Sequence, residues 1–307
     1  MQPLKQSLNY LQSTEGLIWV LACIPIGFLL TALAYFVINR VPAKWLCDYN
    51  ETPSEELLSD KRVSYVKTGT IVSVVMSLAL AMCRLQFNKG QDIYFILLAI
   101  IMFFAVMIAV SDLKYTIIPD QFTVALGIAG LILSTYDIVW GGHILHSGWW
   151  SPIVGALIGA AVMILIDLLG MWIYKQDGMG FGDVKLFFAV GLFTGFPGTI
   201  YSLILSIITA AVCFVVIILI ASSKNTTESP EQPKADKAKD ESNIDDKPAE
   251  NTDDSENPSE ETENDSDDEV SGKSQLAFGP YIAISVIAYA ALFNIINYLV
   301  GLYTNLF

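Results

Sequence analysis

From Gly16 to Asn39 the chain runs for 24 residues without a charged side chain. At 1.5 Å per residue, such a run crosses a hydrocarbon core of ~30 Å as a helix. Seven further apolar runs follow, at Thr68–Cys83, Ile93–Ser111, Gln121–Tyr136, Pro152–Tyr174, Leu186–Phe196, Thr199–Ser222 and Pro280–Leu302. The expected fold is therefore an all-α polytopic membrane protein of about eight transmembrane helices. Leu186–Phe196 is short, and reaches span length only with Val184 and Lys185, whose long stem can snorkel. Phe196-Pro197-Gly198 is a turn signal between the sixth and seventh runs. Ala32-Leu33-Ala34 resembles a signal cleavage site, but the run is long and its basic residues, Arg40 and Lys44, follow it. The first run is read as a retained span.

Composition agrees: 53% of residues are hydrophobic and only 16% charged. The net charge of −14 is local, because residues 221–274 hold 18 acidic against 6 basic side chains. An acidic balance of this kind excludes a basic nucleic-acid footprint. With almost no large apolar side chains, the acidic stretch cannot offset its chain entropy and is expected to be a disordered, solvated loop. The chain is divided accordingly: 1–67 as the first span plus a reduced loop, 68–221 as the membrane core, 222–275 as the acidic loop, 276–307 as the last span.

Lys and Arg fix the expected orientation, since cytoplasmic loops retain positive charge. With the N-terminus outside, the inner loops hold Arg40, Lys44, Lys61, Arg62, Lys67, Lys114, Lys175 and Lys185. The outer loops hold Lys5, Arg84 and Lys89. This places Asp112, Asp120, Asp177 and Asp183 together at the cytoplasmic face.

Ionisable groups at the edges of spans are costly and usually have a task. Asp112 closes the third run and Asp183 precedes the sixth, on the same face, so the two can meet within a bundle. Two carboxyl groups sharing one proton supply both halves of peptide hydrolysis. The ionised one takes the proton of the attacking water, and the protonated one polarises the carbonyl. Like charges a few Å apart cannot both ionise easily, so such a pair titrates as a unit. His143 and His146 fall on the opposite face, and no Ser/His pairing is expected. Gly178, Gly180 and Gly182 leave a backbone without Cβ atoms that an extended substrate strand can approach. No GK[ST] follows them, which argues against a phosphate-binding loop.

Ser111-Asp112 through Ile118-Pro119-Asp120, and Gly178-Met179-Gly180-Phe181-Gly182-Asp183-Val184-Lys185-Leu186, resemble the two signature segments of the type IV prepilin peptidases. The second contains the GxGD element shared with presenilin-like and preflagellin peptidases. Arg40-Val41-Pro42 and Phe278-Gly279-Pro280 are similar to further family segments. The resemblance implies an aspartic endopeptidase of the bacterial inner membrane that removes the short basic leader of prepilins or pseudopilins. Asp112 and Asp183 match the catalytic pair. Asp120 matches the second acid of the first segment, a supporting residue suited to the start of the fourth helix. Lys185 would balance charge beside Asp183 or anchor the helix at the interface. Many members also methylate the new N-terminus with S-adenosylmethionine, and carry a larger loop with two CxxC pairs for zinc. Here 41–67 is short and Cys47 stands alone, so zinc is not expected and methyl transfer stays open.

The other residues read as structural. Cys23, Cys83 and Cys213 lie in apolar runs. Asp167, inside the fifth run, is read as a structural partner for a hydroxyl or backbone group. His143 and His146, near Trp149 and Trp150, offer too few ligands for a metal, and are read as part of an interfacial loop. Trp19, Trp45, Trp140 and Trp172 mark span boundaries. A transporter with intramembrane carboxylates is the rival class, but its repeated halves are not visible. Within the peptidases, a preflagellin- or presenilin-like substrate is the alternative to prepilins.

Overall fold

The computed structural model describes residues 10–47, 55–58, 62–87, 90–174, 180–225 and 278–304. Among them there are helices and turns and no strands. Seven long helices carry the fold: α1 (Thr14–Arg40), α2 (Thr70–Gln86), α3 (Asp92–Tyr115), α4 (Asp120–Val139), α5 (Ser151–Tyr174), α6 (Phe181–Asn225) and α7 (Gly279–Thr304). Six of these are long and apolar enough to cross a membrane, and α2 is a shorter apolar helix. The chain divides into two compact units, residues 1–215 with 275–307, and residues 216–274. All seven helices but the end of α6 belong to the first. The acidic stretch from residue 226 onward, Asp177 and Gly178 lie outside the described residues.

Helix α6 is not one rod. Gly195 (φ 62°, ψ −175°) and Phe196 (φ −94°, ψ 129°) leave helical geometry and divide it into arms of residues 181–194 and 197–225. The left-handed φ at position 195 suits glycine, and Pro197 cannot donate to the turn before it. A Cβ on Gly155 of α5 would meet Gly191 and Thr199, and one on Gly159 would meet Phe187 and Thr199. Thr199 thus lies beside the same stretch of α5 as the first arm, so the chain turns back on itself at Gly195–Phe196. The sixth and seventh apolar runs are these two arms, and eight long helical stretches result among the described residues.

Helix α3 packs on α1, α2, α4 and α7, and its core residues Leu98, Ile101, Met102, Ala105 and Ile108 are all buried. In lipid, apolar burial gives helices little drive to associate, so close backbone approach at small residues matters more. The first arm of α6 is seated this way on both sides. A Cβ on Gly191 would come within 2.5 Å of the Ala156 backbone of α5, and one on Gly130 of α4 within 3.0 Å of Phe193 Cβ. Outward faces carry large apolar side chains such as Ile71, Leu78, Leu131, Leu157 and Ile208, as lipid contact requires.

Candidate active site

Four helix ends converge where the sequence analysis placed its acids. Helix α3 stops because Thr116 turns into the left-handed region (φ 53°), its N–H closing on Asp112 O at 2.8 Å. Pro119 then sets an extended φ before α4, which opens with Asp120. This short connection keeps Asp112, Ile118 and Asp120 at one end of the bundle. Asp183 lies in the first turn of α6, where the Asp183 N–H closes on Gly180 O at 3.0 Å. A helix N-terminus favours a negative charge.

Both aspartates are buried, Asp112 at 3% and Asp183 at 5% exposure. They are close enough for the charge on Asp112 to act on Asp183. Asp112 Oδ2 and Asp183 Oδ1 have no hydrogen-bond partner among the described residues. Buried polar oxygens are nearly always satisfied, so two unsatisfied carboxylate oxygens in one place mark a site that takes its partners from water or a ligand. Ser111 Oγ, next to Asp112, is also buried and unpartnered.

Glycines and Ile118 wall this pair. A Cβ on Gly279, the first residue of α7, would come within 2.5 Å of Asp112 Oδ2 and 2.9 Å of Ile118 Cδ1. A Cβ on Gly182 would meet Ile118 Cβ at 3.2 Å. Position 279 is therefore glycine because Asp112 fills the space, and Ile118 wedges between the starts of α6 and α7. By contrast a Cβ on Gly180, which is exposed, would meet nothing within 4 Å among the described residues.

Asp120 and Lys185 form a two-pronged ion pair, Nζ lying 2.9 Å from each carboxylate oxygen. It ties the first turn of α4 to the first turn of α6, and the ammonium also lies 5.0 Å above the Phe181 ring. Lys185 thus meets Asp120 across the helix starts, two residues from Asp183. The structure brings together Asp112, Asp183, Gly182, Asp120 and Lys185, with Gly180 at the edge. The roles of Gly279 and Ile118 were missed. They lie 161 residues apart, and spacing alone carries no sign that they touch.

Two readings at the opposite end need correction. His146 is not an interfacial loop residue, being 1% exposed, and a Ser/His contact does exist: Ser134 Oγ lies 3.2 Å from Nε2 of His146. His146 Nδ1 lies 3.0 Å from Asp137 Oδ2. The three resemble a hydrolytic triad in order, but not in chemistry. Ser134 Oγ donates to the Leu192 carbonyl at 2.5 Å and is buried, so it has neither a free proton nor access to a substrate. His143 is exposed, as expected for a loop, and Asp167 is half-buried.

Residues 96–215 match the type IV leader peptidase family. A prepilin leader peptidase/N-methyltransferase of Xanthomonas campestris pv. campestris is 32% identical over 113 residues, 36% of this chain and 36% of that protein. One of Aeromonas salmonicida is 29% identical over 124 residues (39% and 38%), and one of Pectobacterium carotovorum subsp. carotovorum 27% over 129 residues (41% and 42%). The chain thus matches well under half the length of these curated relatives. No solved structure matches. The resemblance to the prepilin peptidases holds over a segment that contains both Asp112 and Asp183.

Proposed function

We propose that this chain is a membrane-embedded aspartic endopeptidase that removes the short basic leader of type IV prepilins or pseudopilins at the cytoplasmic face of the bacterial inner membrane. The observation that carries the reading is the pair Asp112 and Asp183: both buried, near enough for the Asp112 charge to act on Asp183, each with one carboxylate oxygen left without a partner among the described residues. Supporting it are the matched family segment and the multi-pass helical fold.

In the proposed reaction the pair holds one proton. The ionised carboxylate takes a proton from water as its oxygen bonds to the scissile carbonyl carbon. The protonated carboxyl gives its hydrogen to the carbonyl oxygen. In the collapse of the tetrahedral intermediate the C–N bond breaks, the leaving nitrogen takes the proton first drawn from water, and one hydroxyl of the intermediate returns a proton to the other carboxylate, so the pair again holds one proton. Gly180 and Gly182, with Gly178 in the undescribed segment before them, would let the substrate backbone lie flat against the site. Asp120 and Lys185 would hold the two aspartate-bearing ends in register. The bilayer holds the substrate's apolar helix beside them.

S-adenosylmethionine, which the resemblance brings for methyl transfer, has no assigned residues in this chain, and the cleavage proposed here needs neither it nor zinc. The test is purified protein in bilayers with a membrane prepilin and S-adenosylmethionine, the product weighed by mass spectrometry. Loss of the leader is expected from the parent, and none from Asp112→Asn or Asp183→Asn. Retained cleavage in either variant would sink the mechanism, and a further methyl mass would add the second activity.

A further inference from the structure

The far end of the α6 first arm is capped by side chains from three other places in the fold. A helix leaves its last four carbonyls without intrahelical partners. Here the Phe193 carbonyl would normally take its hydrogen bond from residue 197, which is proline and has no N–H. The Leu192 carbonyl would take the Phe196 N–H, but that group donates to Ser151 Oγ at 2.9 Å. Both vacated carbonyls are met from outside: Ser134 Oγ donates to Leu192 O at 2.5 Å, and His146 Nε2 lies 3.1 Å from Phe193 O. Ser151 Oγ donates in turn to Phe196 O at 2.9 Å.

His146 is itself held fast. Asp137 accepts the backbone N–H groups of Ile144 (2.8 Å), Leu145 (3.1 Å) and His146 (2.8 Å), together with the Tyr94 hydroxyl. Its Oδ2 also faces His146 Nδ1. A carboxylate serving that many donors is an acceptor, so Nδ1 donates to it. Nε2 faces the Phe193 carbonyl at the other side of the ring. The ring thus bridges the Asp137 carboxylate and the carbonyl end of the arm.

We propose that Ser134, Asp137 and His146 are positioning residues for the reaction. They cap the distal end of the first α6 arm and so fix where Asp183, at its proximal end, stands relative to Asp112. The arm is residues 181–194, roughly 20 Å long at helical rise. It is wedged at backbone contact between Gly130 of α4 and Gly155 and Gly159 of α5. Close-packed elements shift as units rather than bend, so a displacement at the cap is carried to Asp183. The inference rests on the proposed peptidase function for its kinetic arm only.

The test uses the full chain in bilayers, with Ser134→Ala, Asp137→Asn and His146→Gln. One readout is kcat against KM for prepilin cleavage. The other is disulfide formation between Ile118→Cys and Gly182→Cys, with alanine replacing the four native cysteines. The Cβ positions at 118 and 182 lie 3.2 Å apart, close to disulfide reach of about 3.5–4.5 Å. In the capping variants cross-linking should slow several-fold, and kcat should fall roughly ten- to a hundredfold with KM nearly unchanged. A lower Tm with both readouts at parent level would overturn the proposal, as would a loss in one readout without the other. If His146→Gln does not accumulate, Ser134→Ala and Asp137→Asn decide. If the parent cleaves no prepilin, the functional reading fails, and cross-linking alone decides the positioning.

Discussion

At the residue scale, chemistry is concentrated where side chains have been removed as much as where they have been added. Gly279 is as much part of the site as Asp112, because the carboxyl occupies the space a Cβ would need. Gly279→Ala should push Asp112 or Ile118 aside and lower kcat by about ten- to a hundredfold, with protein levels in the membrane unchanged. The assay is steady-state cleavage against accumulation by immunoblot. The proton sharing proposed for the pair would have its own signature. With both carboxyls protonated there is no base, and with both ionised there is no acid. The kcat profile should therefore rise and then fall with pH, reporting the pair and not either residue alone; a profile flat from acid to alkaline pH would count against it. Asp112, Asp183, Asp120 and Lys185 were legible in the sequence because charges are rare among apolar spans. Ile118 and Gly279 were not, since an apolar residue and a glycine look ordinary until the fold sets them side by side.

At the scale of elements, the helical stretches were legible almost run for run, because lipid demands long uncharged segments and leaves little freedom in reading them. Even the turn at Phe196-Pro197-Gly198 was marked by its residues. What periodicity did not reveal was which helices touch, since a lipid-facing side and a protein-facing side are equally apolar. Small residues carry that information, and they are numerous enough to be ambiguous. Gly191 makes the point: a Cβ there would strike the α5 backbone at 2.5 Å. Backbone cannot yield as a side-chain tip does, so Gly191→Ala should cost about 1–3 kcal/mol. Thermal unfolding in detergent would read this as a clear drop in Tm. Alanine at Gly301 of α7, where nothing lies within 4 Å among the described residues, serves as the contrasting case. The buried Asp137–His146 cap was missed for a related reason: polar residues beside tryptophans at a span end suggest an interface, and only the turned-back α6 draws them inside.

At the scale of the whole molecule, one helical stretch is shorter than the medium around it is thick. The first arm of α6, residues 181–194, rises roughly 20 Å against a hydrocarbon layer of ~30 Å. Most of its side chains are buried against neighbouring helices, so lipid would meet the mismatch at the rim of the bundle, by thinning at fractions of a kcal/mol for each Å. Thinning there would bring headgroups and water nearer the end of the arm that bears Asp183. Acyl-chain length then becomes a control on hydrolysis: vesicles of longer-chain lipids should slow cleavage by roughly two- to tenfold, measured at fixed protein and substrate density. A dent in the bilayer would then be the route by which water reaches a peptide bond that otherwise stays dry.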